Sequence, residues 1–160
     1  AIPSILLAIA MVSLFGASVL IVIIAIVIPE VPRVVRLVRA VVMATREQPY
    51  VEAAVAGGAK WWKVLVRHIL PPTIPPLIVQ ATYICASAIL VEAALSFLGA
   101  GTPPEIPTWG NMIASDRIYL GRAPWCIFYP GIALAIVVLA VNLVGDGLRD
   151  RLDPRIARRM

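Results

Sequence analysis

Charge, histidine and cysteine are all scarce in this chain. Asp, Glu, Lys and Arg make up 14% of its 160 residues, where soluble domains carry about a quarter, so water is not the expected solvent. The single histidine, His68, has no cysteine or carboxylate pair beside it in sequence, which argues against a metal centre or a hydrolytic triad. Cys85 and Cys126 fall at different depths of two apolar runs, and no disulfide is expected between them. A phosphate-cradling loop is missing too. Gly57-Gly58-Ala59-Lys60 lacks the spacing, and no other lysine follows a glycine loop. No catalytic residue, metal ligand or cofactor site is expected in this chain.

What is present is hydrocarbon. Hydrophobic residues reach 61% and the mean hydropathy is +0.92. Residues 5–28 carry no charge, residues 74–100 only Glu92, and residues 123–144 none. Runs of that length cross a bilayer as helices, and they lack the alternation a barrel strand would need. The expected fold is all-α, a polytopic transmembrane helical bundle with spans at about 4–28, 74–98 and 124–145. The first run leaves two readings open, one tilted span or a break near Gly16.

All fourteen cations lie outside these runs. Seven fall in the loop 33–72 and five in the tail 146–160, whereas the loop 99–123 holds only Arg117 and Arg122, offset by Glu105 and Asp116. The positive-inside rule then puts the Glu52 loop and the carboxyl tail in the cytoplasm and residues 99–123 outside. The pI near 9.8 is thus a topology signal. Membrane lipid is the expected surrounding, and no nucleic acid is expected as a partner. No charged leader precedes the first apolar run, so no signal peptide is read and further chain is expected ahead of Ala1.

Pro29 and Pro32 are expected to mark a membrane exit, after which Arg33, Arg36 and Arg39 recur at every third position. That spacing invites comparison with a voltage sensor. Three arginines beyond a proline boundary, without intramembrane carboxylates on nearby helices as partners, instead describe a helix snorkelling at cytoplasmic headgroups. Pro49 suits a first helical turn, Glu52 favours its positive end, and Gly57-Gly58 stops it after about two turns. This predicts a short peg. A second cytoplasmic helix is predicted over residues 59–70, with Pro71-Pro72 as its stop and Pro75 and Pro76 opening the next span. Residues 99–107 predict an irregular crossing, followed by a short interfacial helix near 109–120. Trp109, Tyr119, Trp125 and Tyr129 read as an aromatic belt.

Glu52-Ala53-Ala54, then Gly58, then His68-Ile69-Leu70-Pro71 resembles the EAA loop of the membrane-spanning subunits of bacterial ABC importers. Three further stretches are similar to the dipeptide/oligopeptide/nickel branch, in particular its C-type permease subunit. They are Ala94-Leu95-Ser96-Phe97-Leu98-Gly99 with Pro107-Thr108-Trp109-Gly110-Asn111-Met112, then Ala123-Pro124-Trp125, then residues 142–150 through Asp153-Pro154-Arg155. The resemblance covers most of residues 45–155 and implies the carboxyl-terminal part of a type I ABC importer permease in a bacterial or archaeal inner membrane.

The same resemblance implies a function and a set of partners. The chain would form part of a translocation path for peptides or related small solutes. Its partners would be a second permease subunit, two ATP-binding subunits that hold ATP and Mg, and an extracytoplasmic solute-binding protein. Tyr50, Val51, Glu52, Ala53, Ala54, Gly57 and Gly58 would form the coupling helix on an ATP-binding subunit, with His68, Ile69, Leu70 and Pro71 closing the loop. Gln80, Ser87 and Glu92 are candidates for the path lining, Glu92 because an ionisable group within a span is costly unless it faces protein or water. For Glu92 the competing reading is a carboxyl bonded to a neighbouring helix or to the irregular backbone at 99–101. A polytopic scaffold or channel subunit with a regulator-binding loop is the alternative function.

Overall fold

The computed structural model describes residues 4–152, and all regular structure among them is helical. Helix α1 spans Ser4–Phe15, α2 Val19–Arg46, α3 Pro49–Ala56, α4 Trp61–Phe97, α5 Trp109–Asp116 and α6 Trp125–Leu152. A π turn, Leu65–Ile69, lies inside α4, and a 3₁₀ turn, Arg117–Tyr119, extends α5. Asp153, Pro154 and the tail cations Arg155, Arg158 and Arg159 lie outside the described residues. The chain divides into two compact units, Ala1–Glu30 with Ile84–Asn142, and Val31–Tyr83 with Leu143–Met160.

Helices α4 and α6 are long and apolar enough to cross a membrane, and only 6% and 0% of their most apolar windows are buried within the chain. Ile136 and Leu139 on α6 are 61% and 59% exposed. A soluble protein rarely leaves such a surface uncovered. At 1.5 Å per residue, α6 is about 42 Å long and α4 about 55 Å, so each also outruns a hydrocarbon core of about 30 Å.

The first apolar run is two helices. The Gly16 N–H closes α1 on the Val12 carbonyl at 2.8 Å, with Gly16 at φ +85°. This left-handed stop suits a residue without Cβ, and Val22 then opens α2 with a 3.0 Å bond to the Ser18 carbonyl. In the first unit Ala8, Val12, Val22, Ala25 and Leu95 form a buried cluster flanked by Met11, Ile26 and Val91. Fully buried Ala8 and Ala25 bring backbones close, as small residues do where helices pack in lipid.

The expected proline stop is overridden. The helix expected to end at Pro71-Pro72 runs on through Pro75 and Pro76 to Phe97. Helix α2 also carries Pro29 and Pro32 within it and reaches Arg46. A proline inside a helix removes one N–H and crowds the carbonyl four residues back. At 71–72 the preceding turn widens to π geometry, with the Leu70 N–H reaching the Leu65 carbonyl, and the Thr73 hydroxyl donates to the Ile69 carbonyl at 2.6 Å. Widening and a side-chain donor let the helix continue.

Candidate functional site: a helical peg and a stitched segment

Helix α3 is the peg. Gln48 before it is extended, at φ −80° and ψ 139°, Pro49 opens its first turn, and Glu52 lies in that turn. Its end is a Schellman motif. The Ala59 N–H reaches the Ala54 carbonyl at 3.1 Å and the Gly58 N–H the Val55 carbonyl at 3.0 Å, with Gly58 at φ +75°. Glu52, Ala53, Gly57 and Gly58 are exposed and Ala54 is half-buried. Val51 is turned inward and only 3% exposed, so among the residues expected on a partner it is the one the fold withdraws. The hydrophobic anchor on α4 is Val64, 6% exposed.

Tyr50 also looks back along the chain. Its ring stands 6.2 Å from that of His68 at 47°, and its hydroxyl donates to the His68 carbonyl over a long 3.4 Å. Beside the peg, Met43, Arg46, Glu47, Val51, Glu52 and Val55 line a groove of about 530 Å³. Of the loop-closing residues, His68 and Ile69 are half-buried in the π turn, while Leu70 and Pro71 are exposed.

Of the three path-lining candidates, Gln80 belongs to the second unit, and Ser87 and Glu92 belong to the first. Gln80, in the second unit, lines a groove of about 490 Å³ with Leu37, Pro72, Val79 and Arg149. In that same unit α6 approaches α4 through buried Gly145, where a Cβ would collide with the Thr82 hydroxyl. The Ser87 hydroxyl bonds its own helix, at the Ile84 carbonyl, 3.0 Å. Glu92 lines a groove of about 660 Å³ in the first unit, together with Val22, Ile26, Ala88, Trp109 and Met112.

Glu92 is also the root of a side-chain network. Its Oε1 accepts from the Ser96 hydroxyl at 2.7 Å and from the Thr102 hydroxyl at 3.2 Å. Asn111 Nδ2 donates to Thr102 Oγ1 at 3.1 Å, to the Pro103 carbonyl at 3.0 Å and to the Ile106 carbonyl at 2.9 Å. The Thr108 hydroxyl caps α5 by accepting from the Asn111 N–H at 3.1 Å. Two glycines allow the close fit. A Cβ on Gly110 would sit 2.7 Å from the Ala93 Cα, and one on Gly101 would sit 2.5 Å from the Ser96 Cα. The carboxyl is therefore bonded to its own helix and to the irregular segment after it.

Ser96, Thr102, Thr108, Gly110 and Asn111 were not picked out by sequence reasoning as site residues. The available signal was a run of hydroxyl and amide side chains within about twenty residues of the only carboxylate in its span. The helix expected near 109–120 is found as α5 and its 3₁₀ extension. Trp109, Tyr119, Trp125 and Tyr129 are 36%, 50%, 56% and 72% exposed.

Outward-facing apolar side chains on helices of membrane-crossing length define a multi-pass membrane protein. The sequence matches the family described as binding-protein-dependent transport system inner membrane component over residues 1–158, and the chain belongs to that family. It is 62% identical over 158 residues, 99% of its length, to the probable peptide ABC transporter permease protein y4tQ of Sinorhizobium fredii, covering 54% of that protein. It is 47% identical to the dipeptide transport system permease protein DppC of Alkalihalophilus pseudofirmus, over 98% of this chain and 51% of that one. To the glutathione transport system permease protein GsiD of Escherichia coli it is 43% identical, over 98% and 52%. The chain spans about half the length of these relatives.

Proposed function

We propose that the chain is part of a membrane-spanning subunit of an ATP-driven importer, contributing to the translocation path for peptides or related small solutes. The observation that carries this reading is the peg, a two-turn helix closed at Gly58, with Glu52, Ala53 and Gly57 exposed and Val51 anchored inward. Small exposed side chains permit close approach of a partner backbone, and a rigid cap lets the peg move as a body. The partners are two ATP-binding subunits, which bind ATP and Mg, a second permease subunit, and an extracytoplasmic solute-binding protein. No cofactor is assigned to this chain. Supporting the solute class, the relatives above carry peptide, dipeptide and glutathione in their names.

On this reading the loop 33–72 and the tail 146–160 are cytoplasmic, residues 99–123 face outward, and Gln80, Ser87 and Glu92 are carried on the path-forming helix α4. Glu52, Ala53, Ala54, Gly57 and Gly58 form the contact face, while Tyr50 and Val51 seat it. The test uses the full-length permease with its partner subunits, Cys85 and Cys126 replaced by alanine, and Ala53→Cys introduced. A thiol crosslinker is expected to join position 53 to an ATP-binding subunit in native membranes. Absence of any such product, with the complex intact by co-purification, overturns the assignment.

A further inference from the structure

The peg meets α4 where that helix leaves α geometry. In the π turn the Leu70 N–H closes on the Leu65 carbonyl, five residues back, and such turns concentrate at functional positions. Their cause here is chemical. Pro71 and Pro72 have no N–H, so Pro72 cannot return a bond to the His68 carbonyl one α-helical turn earlier. A donor from outside the helix reaches this carbonyl, the Tyr50 hydroxyl at 3.4 Å, with the Tyr50 ring against the His68 ring. Next to it the Ile69 carbonyl also accepts from the hydroxyl of Thr73, a residue 3% exposed. Helix α3 also packs on Trp61–Val64 and on Leu65–Ile69, with Val51 and Val64 buried.

We propose that Tyr50 and His68 form a latch that delivers movement of the peg to α4 at its π turn. This rests on the importer reading above and deepens it. Tyr50 is a positioning residue, which acts through the His68 carbonyl and ring rather than by touching solute or nucleotide. A wide, proline-interrupted turn is softer than an α-helix because part of its backbone ladder is missing, so displacement there reorients the helix beyond it. The latch gives that soft turn one defined attachment to the element that moves.

The test reconstitutes the full-length permease, its partner permease, the ATP-binding subunits and the solute-binding protein in proteoliposomes. A labelled dipeptide serves as solute, and uptake and ATP hydrolysis are measured in the same vesicles. Tyr50→Phe removes the hydroxyl alone and is expected to lower peptide imported per ATP by about threefold, the scale of one modest hydrogen bond. ATP-binding subunits should co-purify unchanged. Tyr50→Leu, which also removes the ring, should lower the ratio further. Pro72→Ala restores a competing N–H, so adding Tyr50→Phe to it should cost nothing more, a non-additivity expected of groups sharing one partner.

An unmoved ratio in both Tyr50 variants overturns the latch. So does a parallel fall of uptake, hydrolysis and co-purification, which marks a merely structural role. If the wild-type vesicles hydrolyse ATP and import neither the dipeptide nor labelled glutathione supplied in its place, the importer reading of this chain fails and the latch falls with it. Wild-type import with unmoved variants sinks the latch alone.

Discussion

Residues 98–111 and residues 47–60 are both short links joined to α4, and they are held by different means. The first is stitched by side chains, with Glu92, Ser96, Thr102, Thr108 and Asn111 bonded to one another or to local backbone. Gly110 and Gly101 are pressed against the Ala93 and Ser96 backbone. The second relies on backbone caps at Gly57 and Gly58, buried Val51, and the long bond from Tyr50. Many mutually supporting side-chain bonds fix a segment in one arrangement. A helix held by its own caps and one anchor keeps its shape while remaining free to shift as a body. Within their own units, the stitched segment is built to stay and the peg to move.

Four substitutions break or sharpen that contrast. The largest effect is expected from Gly110→Val, because a Cβ has no room beside Ala93 and Ser96. Overpacking of this kind should cost about 3 kcal/mol, read as a lower unfolding midpoint in detergent and protease cleavage confined to residues 99–124. Asn111→Ala comes next. It strips donors from Thr102, Pro103 and Ile106 together, at about 2 kcal/mol. Hydrogen exchange should rise across 102–116 and stay unchanged over α3, and a rise at both would merge the two links into one cooperative unit.

Gly58→Val should cost about 1–2 kcal/mol, since a branched residue resists the left-handed backbone there. Nothing stands within 4 Å of its would-be Cβ, so the penalty is conformational and not steric crowding. Faster exchange at residues 55–64 with normal protection at 102–116 is the expected signature. Smallest of all, Ser87→Ala should change the unfolding midpoint by no more than about 0.5 kcal/mol, because that hydroxyl bonds only its own helix. A larger loss in the assembled transporter would place a partner group on it.

The peg was legible from Pro49, Glu52 and Gly57-Gly58 because its start and stop are local backbone chemistry. The same is true of α5, expected near 109–120 after the proline-rich stretch 99–107. The run of α4 through Pro71-Pro72 and Pro75-Pro76 was not legible. Proline reads as a stop only while the preceding turn keeps α geometry, and nothing in Leu65–Ile69 announces a π turn. The two readings of residues 5–28 were separable only by the backbone of Gly16, whose apolar neighbours carry no periodic signal. Glu92 drew attention by its charge, but of its two partners only Ser96 is a helical neighbour, and Thr102 lies ten residues on, around an irregular turn. Tyr50 was expected to face outward with the rest of its motif, and its attachment to His68 depends on how the Gly58 turn folds the chain back.

The π turn in α4 also sets the phase between the two ends of that helix. Such a turn accommodates an extra residue per cycle, and one residue corresponds to about 100° of helical rotation. The stacked pair Trp61 and Trp62, 3.9 Å apart and both more than half exposed, is therefore out of phase with the surface of α4 beyond Leu70 by roughly a quarter-turn. Tightening the five residues Leu65–Ile69 into α pitch would swing the two indoles around the helix axis like a dial, without stretching any covalent bond.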